Sequence, residues 1–215
     1  AHLPHRVKAQ KLIKEEDLPD AVTKLGLLEL TINRLQQAGY VYIGMDHFAL
    51  PNDELVLAKN NGSLQRNFQG YSTHADADMI GMGVTSIGKT GNSYSQNERF
   101  EHAYFDAIDN DRMAVFQGYR LNQDDRLRRK LIQDLMCQGL VDYSRIENLF
   151  GINFENYFAA ELDQLVIMEE DGLLEVCNRQ IVVQPLGRLL LRNIAMAFDA
   201  YHQQARKKLQ FSRAI

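Results

Sequence analysis

Two hydrophobic periodicities meet near residue 121, and that junction limits the fold more than any other feature of the chain. Before it, helical and strand-like spacings alternate, the pattern of an α/β unit. Residues 20–38 predict a helix: Asp20 can cap it, Leu25, Leu28, Ile32 and Leu35 share one face, and Gly39 suits its end. Tyr40 to Met45 then alternates as a strand, and Pro51 opens a short helix through Lys59. Residues 78–88 are apolar and glycine-rich, which suits a buried strand closely approached by another segment. A further helix is expected from Asn97 to Ile108, burying Phe100, Tyr104, Ala107 and Ile108. The alternation covers roughly residues 1–110 and begins mid-pattern.

Beyond the junction helices dominate. Asn122 can cap a helix carrying Leu127, Leu131 and Leu135 and ending at Gly139. Ser144 to Glu147 has the spacing of a capping box for a short helix to Phe150. Asn153 can cap a third helix to Asp171, with Tyr157, Phe158, Leu162, Leu165 and Val166 inward. Residues 173–177 and 180–184 flank Asn178-Arg179 as a hairpin. Pro185 opens a last helix to Ala205, with Leu186, Leu189, Leu190, Ile194, Phe198 and Tyr201 on its apolar face. Two domains are expected, 1–121 and 122–215.

Helices followed by a hairpin over 122–184 give a winged-helix-like outline. A nucleic-acid reader of that shape needs cations on its third helix. Residues 154–171 contain no Lys or Arg, whereas Glu155, Glu161, Asp163, Glu169, Glu170 and Asp171 are acidic. A phosphate backbone would be repelled, and a net charge of -4 agrees, so a packing module is expected and no nucleic acid. No apolar run approaches the ~18 residues of a membrane helix. Cys137 and Cys177 are too few and too far apart for a disulfide framework or a cluster ligand set. They read as buried thiols of a cytoplasmic protein. The chain opens without Met and without a signal-peptide pattern, which reads as a processed or truncated start.

Candidate site residues are few. Gly81, Gly83 and Gly88 do not make a dinucleotide fingerprint, because no helix begins there. Asp46-His47 at a strand end is the best chemical candidate on residues alone. Pro4 keeps His2 and His5 from sharing a helix face, and Asp76 and Asp78 read as solvated carboxylates, so no metal site is expected. Asn67-Phe68-Gln69-Gly70-Tyr71 is poor core material, and an aromatic beside an amide suits a planar ligand. Arg206, Lys207, Lys208 and Arg213 suit a helix C-terminus or the carboxylates of a ligand.

Six strings in register carry a resemblance. They are Gly-Met-Asp-His-Phe-Ala (44–49), Arg-Asn-Phe-Gln-Gly-Tyr (66–71), Asp-Met-Ile-Gly-Met-Gly-Val-Thr-Ser-Ile (78–87), Leu-Asn-Gln-Asp-Asp-Arg-Leu-Arg-Arg (121–129), Gly-Arg-Leu-Leu-Leu-Arg-Asn-Ile (187–194) and Gln-Phe-Ser-Arg-Ala-Ile (210–215). Together they resemble the C-terminal half of oxygen-independent coproporphyrinogen III oxidases. The resemblance implies the last part of an incomplete radical S-adenosylmethionine α/β barrel over 1–121, then a helical domain. It implies a 4Fe–4S cluster and S-adenosylmethionine as cofactors of the whole enzyme. Their 5'-deoxyadenosyl radical takes hydrogen from propionates of coproporphyrinogen III, and two decarboxylations give protoporphyrinogen IX in anaerobic haem synthesis.

The family's Cys-x3-Cys-x2-Cys motif is absent from this chain, so these 215 residues alone are expected to be inactive. A monomeric parent is expected, with self-association of the shorter chain. By the resemblance, Ala1 and Ile87 match positions that line S-adenosylmethionine, and Phe68 and Gln69 match positions at the site. The family pattern assigns no role to Asp46 or His47. Radical S-adenosylmethionine haem chaperones carry Glu-Ile-Ser-Asn-Phe-Ala where residues 44–49 stand here, which favours the oxidase. An acidic winged-helix interaction module is the remaining rival.

Overall fold

A computed structural model describes residues 8–74 and 77–205. The chain is a mixed α/β structure in which every strand pairing is antiparallel. No closed barrel occurs among the described residues.

Helix α1 (Ala21–Gln37) starts where expected, with the Asp20 side chain accepting from Thr23 N–H. None of its residues is fully buried; Leu28, Ile32 and Leu35 are half-covered, and Leu25 is exposed. A bulged hairpin follows, β1 (Val41–Gly44) with β2 (His47–Ala49). Helix α2 (Glu54–Asn60) begins later than expected, because Leu50 to Asp53 forms a turn and Asp53, not Pro51, supplies the cap. A second hairpin joins β3 (Gln65–Asn67) to β4 (Gly70–Ser72). Ile43, Ala49, Val56, Ala58, Leu64 and Tyr71 form a small core beneath these elements.

The expected buried strand over 78–88 is not one. Ile80 and Met82 are each 84% exposed, and ahead of Ile87 only Met79 pairs, with Lys89. Left-handed Gly83 and Thr85 interrupt the extension. The Asn97 side-chain amide donates to the Gly81 and Gly83 carbonyls, taking the place of a neighbouring strand. Regular structure resumes at β5 (Ile87–Thr90), which pairs with β6 (Ser93–Asn97), and β6 pairs with β7 (Val115–Arg120). Between them α3 (Glu101–Asp109) buries only Ala107; Phe100 and Ile108 are exposed, and half-buried Tyr104 accepts from Gly83 N–H.

The second half packs around a larger core. Helix α4 (Gln123–Gln138) has a capping box of Asn122 and Asp125 and ends at left-handed Gly139. Strand β8 (Leu140–Asp142) leads into α5 (Tyr143–Phe150). Asp142, not Ser144, caps α5, because the Glu147 carboxylate is taken by Phe154 N–H and Arg179. The single helix expected after Asn153 is two, α6 (Phe154–Tyr157) and α7 (Ala159–Glu170). The break swings Phe158 fully into the core and leaves Tyr157 and Val166 largely exposed.

The hairpin of β9 (Leu174–Cys177) and β10 (Gln180–Val183) turns through left-handed Asn178 and Arg179, and β10 also pairs with β8. The expected last helix is likewise broken. Turns occupy 185–190, then α8 (Leu191–Met196) and α9 (Ala200–Ala205) flank a break at Phe198-Asp199. Asp199 takes the Tyr201 and His202 N–H groups and restarts the helix.

Candidate ligand cleft

The two cores meet along α4, which carries buried Leu127, Leu131 and Leu135 into the larger and Cys137 into the smaller. The face of α4 left between them floors a cleft of about 940 Å³, at the upper end of the ~300–1,000 Å³ usual for ligand sites. One wall is the β3–β4 hairpin. Tyr94, Tyr119 and Tyr201 form a tyrosine wall.

The hairpin is pinned to the floor by hydrogen bonds. Gln133 Nε2 donates to Gln65 Oε1 at 2.8 Å and to the Arg66 carbonyl at 3.1 Å. Tyr71 Oη donates to the Met136 carbonyl at 2.9 Å, and burial pushes its phenol pKa up to about 12. The tip is Phe68-Gln69. Asn67 Oδ1 folds it by accepting from Gln69 N–H and Gly70 N–H. Gly70 has φ +141°, and a Cβ there would lie 2.7 Å from His47 Nε2, so glycine is required on both counts.

Phe68 and Gln69 therefore stand at the cleft rim, the phenylalanine 58% exposed and edge-on to Tyr94 at 5.3 Å between centroids. The Arg129 guanidinium lies 5.5 Å from the centroid of the same Tyr94 ring. Across the floor, Asp125 accepts from Asn122 N–H and from the phenols of Tyr119 and Tyr201. Tyr201 has a raised pKa, first from its bond with Tyr119 and then from Asp125.

The cleft's arginines differ in kind. Arg128 is neutralised by Glu161 at 2.7 Å and Asp124 at 2.9 Å and donates to the Phe198 carbonyl. Arg66 and Arg129 have no carboxylate partner among the described residues. Arg66 Nε is buried without a hydrogen bond, and its guanidinium lies 5.8 Å from the Tyr71 ring centroid.

Other candidates lie elsewhere. Asp46 is exposed in the β1–β2 turn, and His47 opens β2 with its ring edge-on to Tyr71 at 5.1 Å and its Nδ1 buried without a partner. Neither lines the cleft, nor does Ile87, which starts β5 opposite Gln96. Asp78 is at the cleft, but its Oδ1 is engaged by Gly91 N–H. Ala1, His2, His5, Asp76, Arg206, Lys207, Lys208 and Arg213 lie outside the described residues. The cleft residues that sequence reading missed include Arg66, Tyr94, Tyr119, Asp125 and Arg129. Asp125 and Arg129 sit inside the quoted string 121–129, so a signal existed there; nothing local marks Tyr94.

No group of three or more His, Cys, Asp or Glu side chains suited to a metal occurs among the described residues. Cys137 is buried, which pushes its pKa up to about 12, and Cys177 is a separate surface-proximal thiol. No helix among them is long and apolar enough to cross a membrane.

Residues 121–190 match the family described as the HemN C-terminal domain. The whole chain is 46% identical over 215 residues to the oxygen-independent coproporphyrinogen III oxidase of Salmonella typhimurium, covering 47% of that protein. It is 45% identical over the same length to the Escherichia coli K12 oxidase, again covering 47% of it. A solved structure of coproporphyrinogen III oxidase (HemN) from Escherichia coli, described as a radical SAM enzyme, matches with a TM-score of 0.88 at 46% identity. That match covers 94% of this chain and 46% of the other. The chain spans about half the length of the curated relatives it matches. Along its whole length it is similar to the C-terminal half of oxygen-independent coproporphyrinogen III oxidases.

Proposed function

We propose that this chain supplies the substrate-facing wall of an enzyme that oxidatively decarboxylates two propionates of coproporphyrinogen III, giving protoporphyrinogen IX. The observation that carries this reading is the aromatic and amide rim of the cleft, Phe68 and Gln69, set beside Tyr94 and guanidinium groups. Aromatic faces accept the rings of a tetrapyrrole, and a side-chain amide at the rim supplies directed hydrogen bonds that orient it.

S-adenosylmethionine cleaved at an iron–sulfur cluster would supply hydrogen abstraction from the propionate. The described residues do not fit such a cluster, since Cys137, a buried thiol whose pKa burial raises, lies far in sequence from Cys177. Ile87, at the head of edge strand β5, is assigned to the S-adenosylmethionine side by family correspondence, as is Ala1. The role of Asp46 and His47 in this reading is structural, supported by the packing of His47 on Tyr71 and Gly70.

The division at residue 121 is supported by the two cores, with α4 serving both. The order α4, β8, α5, α6, α7, β9, β10 supports reading 122–184 as a winged-helix-like packing module.

The test uses the native protein containing these residues. Because Phe68 and Gln69 are exposed, Gln69→Ala and Phe68→Leu should each change stability by under ~0.5 kcal/mol. Gln69→Ala should lower protoporphyrinogen formation by at least ~10-fold, since misplacing a reacting centre by ~1 Å costs up to ~100-fold. Phe68→Leu should act more weakly. Full turnover in Gln69→Ala with an early-melting Phe68→Leu overturns the assignment.

A further inference from the structure

We infer that Arg129 and Arg66 are the carboxylate-binding residues of the cleft, each receiving an acidic side arm of the ligand. This inference rests on the reading of the cleft as the tetrapyrrole site and assigns how its anionic periphery is held.

Charge balance sets these two residues apart from the rest of the cleft. Of the three arginines at the cleft, Arg128 is spent on Glu161, Asp124 and the Phe198 carbonyl. The acids nearest the cleft are also engaged. Asp125 receives a backbone N–H and two phenols, Asp199 restarts α9, and Asp78 holds Gly91 N–H. Arg129 and Arg66 are half-buried cations that the described residues leave without a counter-ion.

A half-buried guanidinium keeps its charge, and its fork matches a carboxylate with two parallel N–H donors. Each is also held over a tyrosine ring, Arg129 over Tyr94 and Arg66 over Tyr71. Cation–π contact of this kind fixes the group without using its hydrogen bonds. Arg66 adds a buried Nε with no acceptor among the described residues, which anchors no part of the guanidinium to another protein group. Two pre-positioned forks, one on the β3 wall and one on α4, in an aromatic-rimmed cleft suit a ligand with several carboxylate arms, not a neutral ring.

The test measures binding of coproporphyrin III, a stable fluorescent tetracarboxylate, to the native protein by fluorescence titration. The tetramethyl ester serves as the uncharged comparison. Arg129→Gln should weaken coproporphyrin III binding at least about 10-fold, equivalent to about 1.4 kcal/mol, and leave the ester's affinity unchanged. Arg129→Lys should recover part of the loss. Arg66→Gln should act in the same direction. Arg126→Gln makes the same change in net charge at an exposed residue outside the cleft and should bind like wild type.

Wild-type binding with no loss in either Arg129→Gln or Arg66→Gln overturns this inference alone. An equal loss in Arg126→Gln also overturns it, since general charge would then suffice. Failure of wild type to bind coproporphyrin III overturns the reading of the cleft itself.

Discussion

Replacing Arg128 by Met should destabilise the protein by about 3–5 kcal/mol, the range for removing one partner of a buried ion pair. The structure explains why so much hangs on one side chain. Arg128 and Glu161 are 15% and 10% exposed and 2.7 Å apart. Burial pulls the guanidinium's pKa down, but hydrogen bonds to Glu161 and Asp124 more than offset it, and the net direction is up. Arg128→Met keeps the packing of the stem but strands the Glu161 carboxylate and the Phe198 carbonyl. An unsatisfied buried acceptor alone costs about 1–3 kcal/mol. Asp124 suffers less, being 37% exposed and bonded to Tyr157.

Urea unfolding of wild type, Arg128→Met, Glu161→Leu and the double variant closes a cycle. The double variant should be more stable than Arg128→Met, with a coupling of at least ~1 kcal/mol. Arg128→Met within ~1 kcal/mol of wild type, or additive single changes, would refute the claim that this arginine is structural. If Arg128→Met does not fold, Glu161→Gln reports on the same pair from the other side.

Two further outcomes are expected. Gly187→Ala would drive a Cβ into the Leu173 carbonyl oxygen. It should cost at least ~3 kcal/mol by thermal unfolding, the top of the overpacking range. Gly172→Ala, with open space but φ +69°, should cost only ~1–2 kcal/mol. Asp142 has a lowered pKa, first through its bond from Gln180 and then through Arg145 N–H. Its contribution is therefore complete above the unfolded pKa of ~3.9 and lost as pH falls through the lower folded value. The stability gap to Asp142→Asn should be present at neutral pH and close in acid.

Much of this was legible in the residues. The Asp20 and Asn122 caps, the Gly139 stop and the Asn178-Arg179 turn were readable because each rests on local chemistry. The misreadings share a cause. Residues 78–88 have the composition of a buried strand, but the side chain of Asn97, 16 and 14 positions away, takes the Gly81 and Gly83 carbonyls. The helices after Asn153 and Pro185 break at Phe158 and Phe198, where burying an aromatic ring and its neighbours outweighs continuing the helix. Neither competition is visible in periodicity. The cleft was half legible: Phe68 and Gln69 stood out as poor core material, whereas Arg129 gains its meaning only from which neighbours it lacks.

Helix α4 touches both cores and the cleft, and this has a mechanical consequence. The hairpin wall hangs from it through Gln133 and Met136, and the tyrosine wall through Asp125. A 16-residue helix is a rod of about 24 Å, and widening the cleft would require bending it or breaking those ties one by one. The cleft therefore meets its ligand as a nearly fixed frame. Ordering entropy is already spent in folding, so selectivity falls on ligand shape and charge placement, with closure of the walls left little part to play.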